Sequence, residues 1–337
     1  MMEVGVETVA KSSRARPSRS ALARPIEAFG THNFSLLIAL AILIAIFGML
    51  RPDVFFLPRN ISNIGQAIAI LGVLATAQTI VIVSGGLDIS VGSVLGMSTV
   101  CIALGVAATG STMIAILFGI GVSALMGIIN GLIITFGRVN AVIATLGTMA
   151  AFRGVAFIIS NGRSIPIFDP NLRFIGDGLI LGIPVTIVVL LLVAAIFYVL
   201  MRYTIIGRNI YAIGGNPLVA RLAGLPIRTY QISIYALSGA AAGLAGMLLA
   251  ARTGSGQPLS GSQGAELEAI TAAVLGGCAL TGGKGTIIGA MLGVLIIGVL
   301  NNGMILTSVP TFYQMVAKGV LLIAAVMIAE YQSRRYG

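Results

Sequence analysis

Long apolar stretches dominate this chain, and their length decides what it can fold into. Ten of them lie near residues 34–50, 63–83, 91–108, 112–135, 141–159, 179–200, 229–250, 266–280, 286–305 and 313–330. A helix needs about 20 apolar residues to cross bilayer hydrocarbon about 30 Å thick. Hydrophobic residues are 57% of the chain and charged residues 9%, whereas soluble domains carry about 25% charged residues. Too little polar surface remains to cover a water-soluble globule. The expected fold is an all-α polytopic membrane protein with about ten transmembrane helices. Several stretches fall short of a full crossing, so tilted, broken or re-entrant segments are expected among them.

The net charge of +10 fits either nucleic-acid binding or the positive-inside bias of membrane proteins. The cations cluster in loops and tails, which favours the second, and no nucleic-acid partner is expected. Residues 1–33 hold Lys11, Arg14, Arg16, Arg19 and Arg24 among Ser and Pro. They read as a disordered basic cytoplasmic tail before one transmembrane domain over 34–332. Phe34–Leu50 runs into Arg51-Pro52-Asp53 without a small-residue cleavage pattern, so it reads as a retained span. Inside loops then fall near 84–90, 136–140, 201–228 and 281–285, with Arg138 and Lys284 among them. Arg334 and Arg335 put the C-terminus inside as well. Outside loops fall near 51–62, 109–111, 160–178, 251–265 and 306–312. The longer ones, 51–62 and 160–178, are either docking surfaces for a soluble partner or plain connectors.

Chemistry is sparse. Cys101 and Cys278 sit far apart in apolar surroundings and match no metal or redox spacing. With His32 the one histidine, no metal site and no catalytic constellation is expected. Two Gly-rich polar insertions interrupt the apolar pattern, Ser84-Gly-Gly-Leu-Asp88-Ile-Ser90-Val-Gly92-Ser93 and Gly276-Gly-Cys-Ala-Leu-Thr281-Gly-Gly-Lys284-Gly-Thr286. Each is either a tight cytoplasmic turn or a broken helix beside a pathway, and their likeness hints at an internal repeat. The second is no phosphate-binding loop: five residues separate Gly277 from Gly283, and Gly285 follows Lys284. Any ATP, and the Mg that goes with it, must be handled by another chain.

Ionisable residues inside the spans are few. Arg153, Glu266 and Glu268 lie near span ends, where snorkelling or capping accounts for them. No chain of buried carboxylates reads as a proton relay. Uncharged polar residues are more numerous, and Gln78, Asn130, Asn140, Thr145, Thr148, Asn301 and Asn302, with Asp88, are the candidates for a pathway. They suit a neutral polyhydroxylated solute, or else they bond between helices. Glycines four apart, Gly239 with Gly243 and Gly285 with Gly289 and Gly293, allow close helix packing within the chain or between two copies.

The segment Arg202–Arg228 carries Arg202, Arg208, Arg221 and Arg228 and no acid. Within it, Asn216 can cap a short helix, Pro217 suits its first position, Gly224 suits the position past its end, and Pro226 prevents continuation. A short rigid helix in a basic loop of a membrane protein is a docking element for something in the cytosol.

Several of these motifs together resemble the ribose-type sugar permeases of ABC importers. They are Ser84–Ser93, Asn140–Thr148 with Phe152-Arg153-Gly154, Gly207–Pro217, Tyr235–Gly239 and Gly282–Thr286, in order over about residues 35–332. The resemblance implies a multi-pass subunit of a bacterial inner membrane, with both termini cytoplasmic and membrane lipid around it. It implies a second permease copy, identical or related, a periplasmic sugar-binding protein and a cytoplasmic sugar ABC ATPase. Coupling to that ATPase would fall on Arg208, Asn216, Pro217, Ala220, Arg221 and Gly224. Leu218 and Val219 stand where members often carry acidic residues. The function implied is ATP-driven monosaccharide import by alternating access, with no cofactor bound by this chain. A secondary ion-coupled sugar carrier is the alternative.

Overall fold

The computed structural model describes residues 31–259 and 261–336. The expected tail lies outside them up to residue 30, and Thr31–Asn33 already belong to the first helix. Thirteen helices follow: α1 (Thr31–Leu50), α2 (Pro58–Val83), α3 (Val91–Thr109), α4 (Thr112–Gly137), α5 (Ala141–Ser160), α6 (Pro170–Asp177) and α7 (Val185–Tyr203), then α8 (Ile205–Gly215), α9 (Pro217–Leu222), α10 (Ile227–Thr253), α11 (Ala265–Leu275), α12 (Ile287–Leu306) and α13 (Thr311–Tyr336). Two scraps of antiparallel pairing join β1 (Ile165–Pro166) to β4 (Ser255–Gly256) and β2 (Leu179–Ile180) to β3 (Ile183–Pro184). All of these are among the described residues.

Local chemistry sets the helix starts. Pro58 opens α2, needing no N–H there. The side chains of Ser111, Asn140 and Thr286 accept backbone N–H groups at the starts of α4, α5 and α12. Packing then sorts the helices. Helices α2 and α3 are buried along most of their length, with α10 beside them, while α1, α5 and α7 keep broad apolar faces exposed. Such faces suit lipid. Glycine sets the closest approach. A carbon added at Gly243 would stand 2.7 Å from Ser123 Cβ, and one at Gly239 would stand 2.9 Å from Gly127 N, so α10 lies directly on α4. Gly289 and Gly293 meet the backbone of Gly276 and Ala272 in the same way. The small-residue stripes therefore serve packing within the chain.

Among the described residues, eight helices are long and apolar enough to cross a membrane, and α13 is apolar over Thr311–Met327. The all-α polytopic architecture expected from the sequence is present, and a stretch that falls short of a full crossing, as expected for several of them, is identified. The stretch at 266–280 yields only the 11 residues of α11, about 16 Å at 1.5 Å per residue, or half a bilayer. Gly264 and Gly277, at φ +82° and +94°, bracket it in backbone that L side chains rarely adopt.

A correction concerns 251–265, expected as an outside loop. Ser255–Gly256 pairs with β1, but the chain then runs back along α3. Gln257 N donates to Thr99 Oγ1 at 2.8 Å, and the Thr99 hydroxyl is shared between Gly96 O and Gln257 O, at 2.8 and 2.9 Å. Carbons added at Gly96 and Gly92 would stand 2.6 Å from Pro258 O and 2.8 Å from Ser262 O. Non-helical backbone at this depth is tolerated because α3 covers it.

Candidate functional site

Five helices converge on the segment between α2 and α3. Gly85 N and Gly86 N bond back to Ile82 O and Val81 O, turning the chain. Leu87–Ser90 then return alongside α2. In the orientation that satisfies both ends of its amide, Gln78 donates to Asp88 O and accepts from Asp88 N, each at 3.2 Å. The Asp88 carboxylate accepts Ser90 N (3.0 Å) and Ser90 Oγ (2.6 Å) on one oxygen and Ser238 Oγ (2.8 Å) on the other. Asn130 Nδ2 donates to Ser90 Oγ at 2.7 Å. Tyr235 OH donates to Leu87 O at 3.1 Å, and Thr145 Oγ1, which donates to Ala141 O of its own helix at 2.8 Å, lies 3.4 Å from the same Leu87 carbonyl. Gln78, Asp88, Ser90, Asn130, Thr145 and Ser238 are all buried.

This arrangement fixes where α3 begins. Asn130 lies seven residues before the end of α4, and Ser238 eleven residues after the start of α10. At 1.5 Å per residue, α3 starts about 10–16 Å inside the arginine-rich end of its neighbours. The first insertion is thus both a turn and a helix that starts within the bundle. The second, at 276–286, is a turn between α11 and α12. Asp88 acts as the anchor, because the first N–H groups of a helix have no partner of their own. Asn130 Oδ1 has no hydrogen-bond partner among the described residues.

The structure gathers four of the polar candidates, Gln78, Asp88, Asn130 and Thr145, into this one cluster and scatters the others. Thr148 bonds the carbonyl of Thr145. Asn140 is exposed and caps α5 through Val142 N. Asn302 exchanges hydrogen bonds with Asn60 of α2, at 2.8 and 3.1 Å. Asn301 donates to Glu268 at 3.3 Å. Ser90, Tyr235 and Ser238 belong to the cluster but were not among the sequence candidates. Tyr235 and Ser238 fall within the run Tyr235–Gly239, which was the available signal.

The charges within the spans pair with one another. Arg153 Nη2 lies 3.7 Å from Glu266 Oε1, tying α5 to the start of α11. Lys318 Nζ lies 2.6 Å from Glu268, tying α13 to the same turn. Of the snorkelling or capping expected from sequence, the first-turn position of Glu266 and Glu268 fits capping, and ion pairing is added to it, since a lone charge in this setting is costly. Two carboxylates in the first turn also suit the positive end of the α11 dipole. At the far end of the bundle, Asp169 caps α6 through Leu172 N (2.8 Å) and accepts from Thr112 Oγ1 (2.6 Å). These two donors hold its carboxyl below the usual range. Asp169, Arg173, Asp177 and Arg252 line a cleft there of about 560 Å³.

The arginine-rich end carries the short helix α9. Asn216 Oδ1 accepts Leu218 N and Val219 N at 3.0 and 3.1 Å, and Pro217 sits in the first turn. Leu225 N bonds back to Ala220 O, with Gly224 at φ +82° making the reversal possible. Ala220 is buried against Ile213 and Ile227, which fixes the orientation of the helix. Leu218, Val219, Arg221 and Leu222 face outward, and Arg208 is exposed on α8. Replacing Asn216 with alanine removes both cap bonds and is expected to cost about 1 kcal/mol of local stability. Faster limited proteolysis between residues 216 and 226 would register that loss, and an unchanged cleavage rate would show that the cap is dispensable.

Comparison with known proteins agrees with this architecture. The family described as branched-chain amino acid transport system / permease component matches residues 60–326. The chain is 41% identical over 298 residues to the ribose import permease protein RbsC of Bacillus subtilis (strain 168), covering 88% of this chain and 92% of that one. It is 36% identical over 324 residues to the L-arabinose ABC transporter permease protein AraH of Azospirillum brasilense, covering 95% of each. It is 37% identical over 290 residues to the D-allose transport system permease protein AlsC of Escherichia coli (strain K12), covering 86% and 89%. No solved structure matches. The family match spans every helix from α3 to α12, including the half-length α11 and the capped α9, and the chain belongs to the branched-chain amino acid transport system / permease component family.

Proposed function

We propose that this chain is the membrane subunit of an ATP-driven importer for a monosaccharide. Two copies, or one with a related chain, form the pathway in a bacterial inner membrane, with both termini in the cytosol. An ATPase that binds ATP and Mg docks on α9 and neighbouring Arg208, and a periplasmic sugar-binding protein docks at the opposite end, over the cleft beside Asp169 and Arg252. The chain itself performs no covalent chemistry. Closure of the ATPase on ATP moves α8 and α9, opens the bundle toward the binding protein, and the return after hydrolysis releases sugar inward.

The observation that carries this reading is α9. It is capped at one end, reversed at the other and held from beneath by Ala220. It still leaves Leu218, Val219 and Leu222 exposed, at 65%, 58% and 80%. Three exposed apolar side chains on one six-residue helix among arginines suit a protein partner better than water. The relatives named for ribose, L-arabinose and D-allose support a neutral polyhydroxylated solute. Membership in a family of transport-system permease components stands against a self-sufficient ion-coupled carrier.

Reconstitution tests the proposal. Vesicles holding the chain with its ATPase and binding protein are expected to accumulate sugar only when ATP is supplied. Uphill uptake by the chain alone, driven by an ion gradient, would restore the carrier reading.

A further inference from the structure

The last turn of α8 meets two other segments with no side chain between them. A carbon added at Gly214 would overlap Val83 O and stand 2.8 Å from Gly283 N. Gly283 N itself donates to Val83 O at 2.8 Å. A carbon added at Gly282 would stand 2.7 Å from Gly214 O and 2.9 Å from Gly85 Cα. Three pieces of backbone are therefore in direct contact: the end of α2 with its turn, the last turn of α8, and the turn between α11 and α12. Tyr211 of α8 adds one hydrogen bond, from its OH to Gly285 O at 2.7 Å. The two Gly-rich insertions of the sequence are partners in space, and α8 is wedged against both.

What each piece leads to gives the contact its meaning. One residue separates α8 from α9, and that residue is Asn216, the α9 cap. Four residues separate Val83 from Asp88, the anchor at which α3 begins inside the bundle. Gly283 lies between half-length α11 and α12. Side chains absorb small displacements by changing rotamer, whereas touching backbones in a close-packed interior do not. A push on α9 thus reaches both interrupted elements with little slack.

We propose that this backbone-to-backbone junction, Gly214 against Val83, Gly85, Gly282 and Gly283, is the joint that transmits movement of α9 to the start of α3 and to α11. The proposal rests on ATP-driven import as set out above. Its failure is distinguishable from failure of that reading, because the wild-type complex is measured alongside. The test is Gly214→Ala in the complex reconstituted with its ATPase and binding protein, with Gly215→Ala as the matched control. Both residues end α8, but a carbon added at Gly215 meets nothing within 4 Å. Gly214→Ala is expected to reach the membrane, bind the ATPase and hydrolyse ATP, yet to lose sugar uptake by more than tenfold. Gly215→Ala is expected to transport as wild type.

Wild-type uptake by Gly214→Ala would overturn the proposal, and so would an equal loss in Gly215→Ala. Loss of ATPase binding in Gly214→Ala would also overturn it, by making the junction part of the docking surface. Should Gly214→Ala fail to reach the membrane, Tyr211→Phe decides, since it deletes only the bond to Gly285. A several-fold fall in uptake with hydrolysis intact supports the joint, and unchanged uptake overturns it.

Discussion

Replacing Leu222 with aspartate is expected to separate this chain from its ATPase and abolish uptake while leaving the fold untouched. Leu222 is 80% exposed at the end of α9, so the substitution disturbs no internal packing. Burying a leucine against a partner contributes about 1.5–3 kcal/mol, and an unpaired carboxylate in the interface opposes association further. Each 1.4 kcal/mol is about tenfold in affinity, so roughly a hundredfold weaker binding is expected. Co-purification of the ATPase and titration of its stimulated hydrolysis both read this effect. Leu222→Met, which keeps apolar volume, is expected to remain near wild type. Full uptake by Leu222→Asp would remove α9 from the docking surface.

Local chemistry in this chain was legible from the sequence, and long-range meetings were not. Helix α9 was readable from Asn216, Pro217 and Gly224 because a cap, a first-turn proline and a left-handed exit each act within four residues. The apolar stretches were readable as helices for the same reason. Their depth was not. A run such as 266–280 looks like a span by composition, but the backbone of Gly264 and Gly277 cuts it to half length. The contacts of Gln257, Pro258 and Ser262 with α3 escaped notice because their partners, Thr99, Gly96 and Gly92, lie some 160 residues away in the chain. The cluster around Asp88 shows both sides. Gln78, Asp88, Asn130 and Thr145 stood out one by one as polar residues in apolar surroundings. That they share one site depends on how α2, α4, α5 and α10 pack, and no spacing in the sequence encodes it.

Replacing Asp88 with alanine is expected to destabilise the whole bundle. Its carboxylate accepts three hydrogen bonds, two from Ser90 and one from Ser238. The serine hydroxyls can turn to other acceptors, but the Ser90 N–H at the start of α3 cannot, and a buried donor left unsatisfied costs about 1–3 kcal/mol. With the hydroxyl bonds weakened as well, a net loss of about 2–4 kcal/mol follows. Cys101 and Cys278 give the readout, since both thiols are free and buried and become reactive as the protein opens. Labelling by a thiol-reactive dye during a thermal ramp in detergent is expected to begin many degrees earlier than in wild type. Ser238→Ala removes one bond and is expected to show a smaller shift, from a loss of about 1–2 kcal/mol. Asp88→Asn separates anchoring from the acid group. An asparagine oxygen still accepts from Ser90, and its NH₂ can donate to a rotated Ser238 hydroxyl, so geometry survives while the ionisable carboxyl is lost. Near-normal stability and uptake in Asp88→Asn mark Asp88 as the anchor of an interrupted helix. Normal stability with lost uptake would assign its carboxyl a part in transport, and a wild-type melting curve for Asp88→Ala would remove it from the anchoring role.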